Sequence, residues 1–399
     1  MKKVKSLLNI LFVVDYYQPK IGYGSYYIPK SLASLGHKVT ILTSNYYYPF
    51  PKYNETAGKI LGPRELKTSD SFENGVRVVR KKLVSEIFTR AIFNGQIEYL
   101  KKTNPEIVIV DKTASYQAIV FSVLKLFFKY KLVSIDAHLP SGFKAEGNQL
   151  AKEIFYKVFR LLFSNLINKK VDKFIAVQEK TKDIMRKYYG ITKKISDIPL
   201  GTDLNLFKFS QKYRDITRRN YGLEDDDFVA IYTGKVIKEK GVDILMSALN
   251  KLAKKNKKLK LMIVGTADSD YEKYCLSKLD NQYHTRVIWA GFQPAKALYK
   301  FYSASDVGVW PLQESMSMND AAACGIPFIA NNTIGARIRL SNDNALLYKK
   351  NNSDDLASKI EFLLKHKKVA QEMGRKGREL MEKRFSWDNI ANEYITFEK

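Results

Sequence analysis

Cysteine is nearly absent from this chain, and its absence removes whole classes of function. Cys275 and Cys324 stand alone, far apart in 399 residues, so neither a disulfide framework nor a thiolate zinc site is available. A reducing, cytoplasmic setting is the reading that fits. Histidine is equally sparse: His37, His138, His284 and His366 show no ligand spacing. Long apolar runs are missing too. Lys125 and Lys129 break the most hydrophobic stretch, and nothing approaches the roughly 20 residues of a membrane span. The N-terminal run Leu7 to Val14, behind Lys2, Lys3 and Lys5, imitates a leader. Asp15 ends it without a small-residue cleavage site, so it reads better as a buried first strand of a parallel sheet.

What the chain has in excess is positive charge. The formal net charge is +26, split as +18 over residues 1–200 and +8 over the rest. Such a field suits anionic membranes, nucleic acid or anionic substrates, and a lysine-rich coding bias would produce it equally well. No zinc, RNP or helix-turn-helix pattern accompanies it, so nucleic acid is not an expected partner.

Strand-like and helical patterns alternate throughout. Asn9 to Val14, His37 to Thr43, Glu106 to Val110 and Leu132 to Ile135 are short β-branched runs separated by helical stretches. The pattern restarts at Phe228 to Tyr232 and continues through Leu259 to Val264, Val287 to Trp289, Val307 to Trp310 and Ile326 to Ala330. Two doubly wound α/β domains are expected, 1–205 and 206–380, with a C-terminal helix in 381–399 packing back on the first. Residues 150–170 form an amphipathic basic helix. Ile154, Phe155, Val158, Phe159, Leu162 and Leu166 read as the face that covers the sheet, with Lys152, Lys157 and Arg160 outside. An anionic bilayer is the alternative cover.

Open α/β sheets bind ligands at the carboxyl ends of their strands. There the chain carries Gly234-Lys235 and Lys240-Gly241, two cations beside a helix start, a pattern suited to a diphosphate though not diagnostic of one. Gly265 closes the next strand. Trp310 to Pro327 then joins a strand to a helix of small residues through Glu314, Ser315, Met316, Ser317 and Asp320. Glu314 and Asp320 are acceptors for sugar or ribose hydroxyls, while Ser317 with Asp320 also reads as a capping box. Asp268-Ser269-Asp270 matches the metal-binding Asp-x-Asp string, but it precedes a helical run and reads as a helix cap.

Taken in order, these segments resemble the family 4 glycosyltransferases of the GT-B fold. The matching stretches are Gly36 to Thr40, Pro199-Leu200-Gly201-Thr202-Asp203, Gly234-Lys235 with Lys240 to Leu245, Gly291-Phe292, Ala304 to Val307, Asp320 to Pro327 and Phe385-Ser386-Trp387. The resemblance implies two Rossmann-like domains facing across a cleft and a retaining, metal-independent transfer from a nucleotide-diphosphate sugar, with no cofactor. It places the diphosphate on Lys235 and Lys240, sugar hydroxyls on Glu314, the ribose on Asp320, and His138 near the reacting sugar. Gly22 and Gly24 stand at the altered first-domain glycine pair. Lys235 replaces the family's usual arginine, and Glu314 and Asp320 lie closer together than the family's acidic pair. The acceptor expected is a glycan or lipid-linked sugar of surface polysaccharide synthesis, reached from the inner face of an anionic membrane. A nucleic-acid-binding protein and a catalytically inactive GT-B subunit are the alternatives.

Overall fold

Chains whose strands are apolar on both sides must cover both sheet faces, and the two sheets here do so with helices. The structure, a computed structural model, describes residues 7–22, 24–55, 57–137, 149–312, 315–332 and 343–397. It divides into Met1–Leu200 with Trp387–Lys399, and Gly201–Ser386.

The first unit contains β1 (Asn9–Val14), β2 (Lys38–Ser44), β3 (Ser69–Glu73), β4 (Val76–Lys81), β5 (Leu83–Ile87), β6 (Arg90–Phe93), β7 (Ile107–Asp111), β8 (Lys131–Asp136), β9 (Lys173–Ala176) and β10 (Ile195–Asp197). Among the described residues its main sheet runs β10-β9-β8-β7-β1-β2-β4-β3, with β5 and β6 forming a separate hairpin. β1 lies at the centre because Ile10 to Val14 are all buried, and it pairs in parallel with β2 and β7 (Ile10 opposite Val39 and Ile107). Among the described residues of the main sheet only β3 runs antiparallel, turned back onto β4 at Asn74-Gly75, both at positive φ. The helix Trp387–Ile395 buries Trp387, Ile390, Ala391 and Tyr394 in this unit, and the Trp387 ring stacks on Tyr27 at 4.9 Å.

The second unit contains β11 (Phe228–Thr233), β12 (Leu259–Val264), β13 (Val287–Gly291), β14 (Val307–Trp310), β15 (Phe328–Asn331) and β16 (Ala345–Tyr348). They form one parallel sheet in the order β13-β12-β11-β14-β15-β16, reversing direction of winding between β11 and β14. The units part a few residues from the boundaries placed from the sequence at 205 and 380. The reason is local: Thr202 N donates to Phe385 O at 2.8 Å, which holds both connecting segments within the second unit.

One element corrects the sequence reading. The helix Gln149–Lys170 does cover the first unit, but through Lys152, Tyr156, Phe159 and Ile167; of the stripe assigned from periodicity only Phe159 is buried, with Phe155 packed beside it. Ile154, Val158 and Leu162 are exposed, and Lys152 is buried. Apolar residues surround this helix on several sides, so spacing alone selects no face. Tertiary partners decide: Arg90 donates to Tyr156 Oη at 2.8 Å, and Tyr156 packs on Tyr189. No helix among the described residues is long and apolar enough to cross a membrane.

Candidate functional site

In the second unit the winding reversal leaves a crevice outside the carboxyl ends of β11 and β14, the position where such sheets take ligands. β11 delivers Gly234 (φ +142°) and β12 delivers Gly265. The two glycines are interdependent, because a Cβ on Gly265 would lie 1.9 Å from the Gly234 carbonyl oxygen. The loop beyond is pinned where Tyr232 Oη donates to Lys235 O at 2.7 Å. A short turn, Lys238–Lys240, then leads through Gly241 (φ +69°) into the helix Val242–Ala253. A side chain at Gly241 would strike Leu312 Cγ at 2.5 Å, and Leu312 N donates to Lys240 O at 3.3 Å. The loops after β11 and β14 are thereby locked together.

The electrostatics of this corner are one-sided. Among the described residues, neither Lys235 nor Lys240 forms an ion pair. Lys235 is exposed and Lys240 half-buried. Burial, and then the neighbouring Lys235, hold the Lys240 ammonium below its ordinary value. The N-cap of Val242–Ala253 is Gly241, which has no side chain to bond the helix, although Asp243 N in the first turn donates to Tyr271 Oη at 3.4 Å. Two lysines without ion pairs beside a helix start suit a polyvalent anion.

The other wall begins at the end of β14. Trp310 Nε1 donates to Thr233 O at 3.1 Å, while Asn331 Nδ2 and Tyr348 Oη hold Pro311 O at 2.9 and 2.5 Å. Ser315, Met316 and Ser317 open the helix Ser317–Ala323. The capping-box reading fails here. Met316 occupies the N-cap with no side-chain bond, and Ser315 Oγ instead accepts from Ser317 N at 3.3 Å. Asp320 Oδ1 accepts from Thr202 Oγ1 at 2.7 Å. Asp320 keeps some exposure as a residue, but protein atoms enclose its carboxyl. That desolvation, with Asp203 nearby, pushes it up to about 7 against the opposing pull of Thr202. Thr202 escaped assignment to the site, although its Leu200-Gly201-Thr202-Asp203 segment was among the matching stretches.

Gly234, Lys235, Lys240 and Gly265 therefore converge at the ends of β11 and β12, and Ser315, Met316, Ser317 and Asp320 gather after β14. Gly22 and Gly24 belong to the first unit, where Gly22 (φ +77°) lies against Tyr27 and Gly24 against Leu200 and Trp387. His138 and Glu314 lie outside the described residues. Asp268 accepts from Tyr271 N at 3.1 Å as the cap of Ser269–Leu276, which accounts for the Asp-x-Asp string structurally. In the first unit the equivalent reversal, between β1 and β7, holds a buried ion pair: Lys112 Nζ sits 3.1 Å from Asp15 Oδ2, beneath the rings of Tyr16 and Tyr48.

Two Rossmann-like units, the second with a cationic loop and a carboxylate flanking its winding reversal, define a GT-B glycosyltransferase. The profile described as Glycosyltransferase Family 4 matches residues 25–206, and that described as Glycosyl transferases group 1 matches residues 213–380. The chain belongs to this glycosyltransferase family. It is 23% identical to the capsular polysaccharide biosynthesis glycosyltransferase CapM of Staphylococcus aureus, over 77% of this chain and 94% of that protein. Other curated relatives match over about half of their own length. Sucrose-phosphate synthase from Thermosynechococcus elongatus superposes with a TM-score of 0.67 at 19% identity, covering 96% of this chain and 97% of that one. Anabaena HepE, solved with UDP and glucose, superposes with a TM-score of 0.64 at 17% identity, covering 97% of this chain and 98% of that one.

Proposed function

We propose that the protein is a retaining, metal-independent hexosyltransferase. It takes a nucleotide-diphosphate sugar as donor and a glycan or lipid-linked acceptor in surface polysaccharide synthesis, working peripherally on the cytoplasmic face of the membrane. The carrying observation is the pair of lysines without ion pairs beside the start of Val242–Ala253, after β11, with the enclosed Asp320 carboxyl on the helix that follows the neighbouring strand β14. The similarity to a capsular polysaccharide glycosyltransferase and the surplus of +18 in residues 1–200 support the acceptor class and location.

As the anomeric carbon separates from the diphosphate oxygen, negative charge grows on the leaving group. Lys235, Lys240 and the positive end of the helix Val242–Ala253 stabilise that charge, the electrostatic contribution that usually dominates such steps. On a front-face path the leaving phosphate oxygen accepts the acceptor's hydroxyl proton, so no protein base is required. Asp320 receives the ribose hydroxyls, and the family resemblance assigns the sugar hydroxyls to Glu314 and a sugar contact to His138, both outside the described residues.

A thermal-shift screen of UDP-, GDP- and ADP-sugars tests the donor. One of them is expected to raise the melting transition progressively with concentration. Turnover with that donor should survive EDTA and preserve the anomeric configuration. A screen with no hit, or turnover that stops with EDTA and returns with Mn²⁺, defeats the reading.

The raised Asp320 pKa gives a second expectation. Its folded value, about 7, exceeds the ordinary 3.8, so the ionised carboxylate costs the ligand-free protein stability as pH rises between those values. Hydroxyl binding favours the ionised acceptor. kcat/KM is therefore expected to climb through an inflection near pH 7, and Asp320→Asn should lower activity and erase that inflection. An unchanged pH profile in Asp320→Asn would remove Asp320 from donor binding.

A further inference from the structure

The helix Gln149–Lys170 has two apolar faces, and among the described residues only one of them is buried. Its inner face is the run of Lys152, Tyr156, Phe159 and Ile167, spaced by four, three and eight residues. Its outer face carries Leu150, Ile154, Val158, Leu161 and Leu162, which recur at the three- and four-residue spacing of a single helical stripe. These side chains are 64%, 53%, 46%, 82% and 60% exposed. Solvated helix faces are ordinarily polar, so five large aliphatic residues on one outer stripe call for a cover.

The charge around the stripe identifies that cover. Glu153 is the only carboxylate in the helix, against Lys157, Arg160, Lys169 and Lys170 outside the buried face. Arg160 Nη1 donates to Lys187 O at 3.0 Å, which joins this basic flank to exposed Arg186 and Lys187 on the neighbouring helix. Beyond the far end, Lys125 Nζ donates to Lys170 O at 2.8 Å, holding there a turn with exposed Leu126 and Phe127. A second copy of the chain would bring like charge against like. A bilayer with anionic headgroups satisfies both the aliphatic stripe and the cations beside it.

We propose that the outer face of Gln149–Lys170 lies in the interface of an anionic lipid bilayer, with Leu150, Ile154, Val158, Leu161 and Leu162 inserted at the headgroup–acyl boundary. This deepens the peripheral location proposed above and is independent of the transfer chemistry, because binding is read without turnover. It differs from adsorption by net charge alone, since the aliphatic side chains enter the bilayer.

Flotation with phosphatidylcholine vesicles containing phosphatidylglycerol, and with pure phosphatidylcholine vesicles, measures the binding. The full chain is expected to float with the anionic vesicles and weakly with the neutral ones. Ile154→Ser/Leu161→Ser should reduce the partition coefficient by about tenfold or more, because apolar burial supplies part of the binding. Phe72→Ser, which removes an exposed ring from β3, should leave it unchanged. Cys275 and Cys324 are buried, so a dye on Leu161→Cys labels one site. Its emission should shift to the blue with anionic vesicles and be quenched by brominated acyl chains. Full binding by the folded double variant, a dye that stays in water, or no binding by the unaltered chain at low salt each overturns the proposal. So does a dimer in gel filtration that the double variant breaks, which would give the face to a second copy.

Discussion

Lys240→Ala is expected to lower kcat/KM for transfer by about ten- to a hundredfold, the equivalent of one charge-assisted bond to phosphate worth about 1.5–3 kcal/mol. The ligand-free protein should not suffer. Lys240 is half-buried beside another cation, and both circumstances depress its protonation, so its removal relieves a cost. The diagnostic pattern is a melting transition equal to or above that of the unaltered chain without donor, and a reduced shift with donor. Lys235→Ala should do less, because its side chain is exposed and water screens what it offers. The double variant should fall short of the product of the two, as expected for neighbours sharing one ligand. Unchanged turnover in both single variants would move the diphosphate elsewhere.

The largest effect on stability is expected at the other winding reversal. Asp15 is 1% exposed, and burial pushes its carboxyl up against the pull of Lys112 and Arg90. Lys112→Met keeps the apolar stem between Tyr16 and Tyr48 but leaves that carboxylate without its nearest cation. Breaking one partner of a buried pair costs about 3–5 kcal/mol, so the first unit should open far more readily at neutral pH. The sign with pH is fixed. A carboxyl whose folded pKa is raised loses stability as pH climbs above its ordinary value, so the variant's deficit should shrink in acid. Asp15→Asn/Lys112→Met should recover much of the loss. Hydrogen exchange at the amides of β1 and β7 is the suitable readout, because a chain of two units has no single unfolding free energy. An equal deficit in the single and double variants would mean that packing, not charge, fixes this corner.

The strands that were legible are those buried on both faces. Ile10 to Val14, Ile107 to Val110 and Phe228 to Thr233 are continuous apolar runs because no side of them meets water. The β3–β6 region was not read. β3 is half-exposed and its alternation of polar side chains hides a strand, although Asn74-Gly75 is a strong hairpin signal. The two-lysine loop was visible because glycines and lysines cluster after a strand. The partner of Asp320 was not, since the bond to Thr202 spans 118 positions and leaves no local spacing. The buried pair of Asp15 with Lys112 was invisible for the same reason: each looks like an ordinary solvated charge until the sheet brings β1 beside β7.

The passage of the chain through both units sets the order in which it can assemble. Trp387, Ile390, Ala391 and Tyr394 are translated after the whole of the second unit, yet they are buried in the first. The second unit is continuous from Gly201 to Ser386 and is complete once it clears the ribosome. The first unit waits for the helix Trp387–Ile395 with the surface around Tyr27 bare, an interval of roughly ten to forty seconds at elongation rates of about 5–20 residues per second. Synthesis therefore completes the second unit before the first, although the first begins earlier in the sequence.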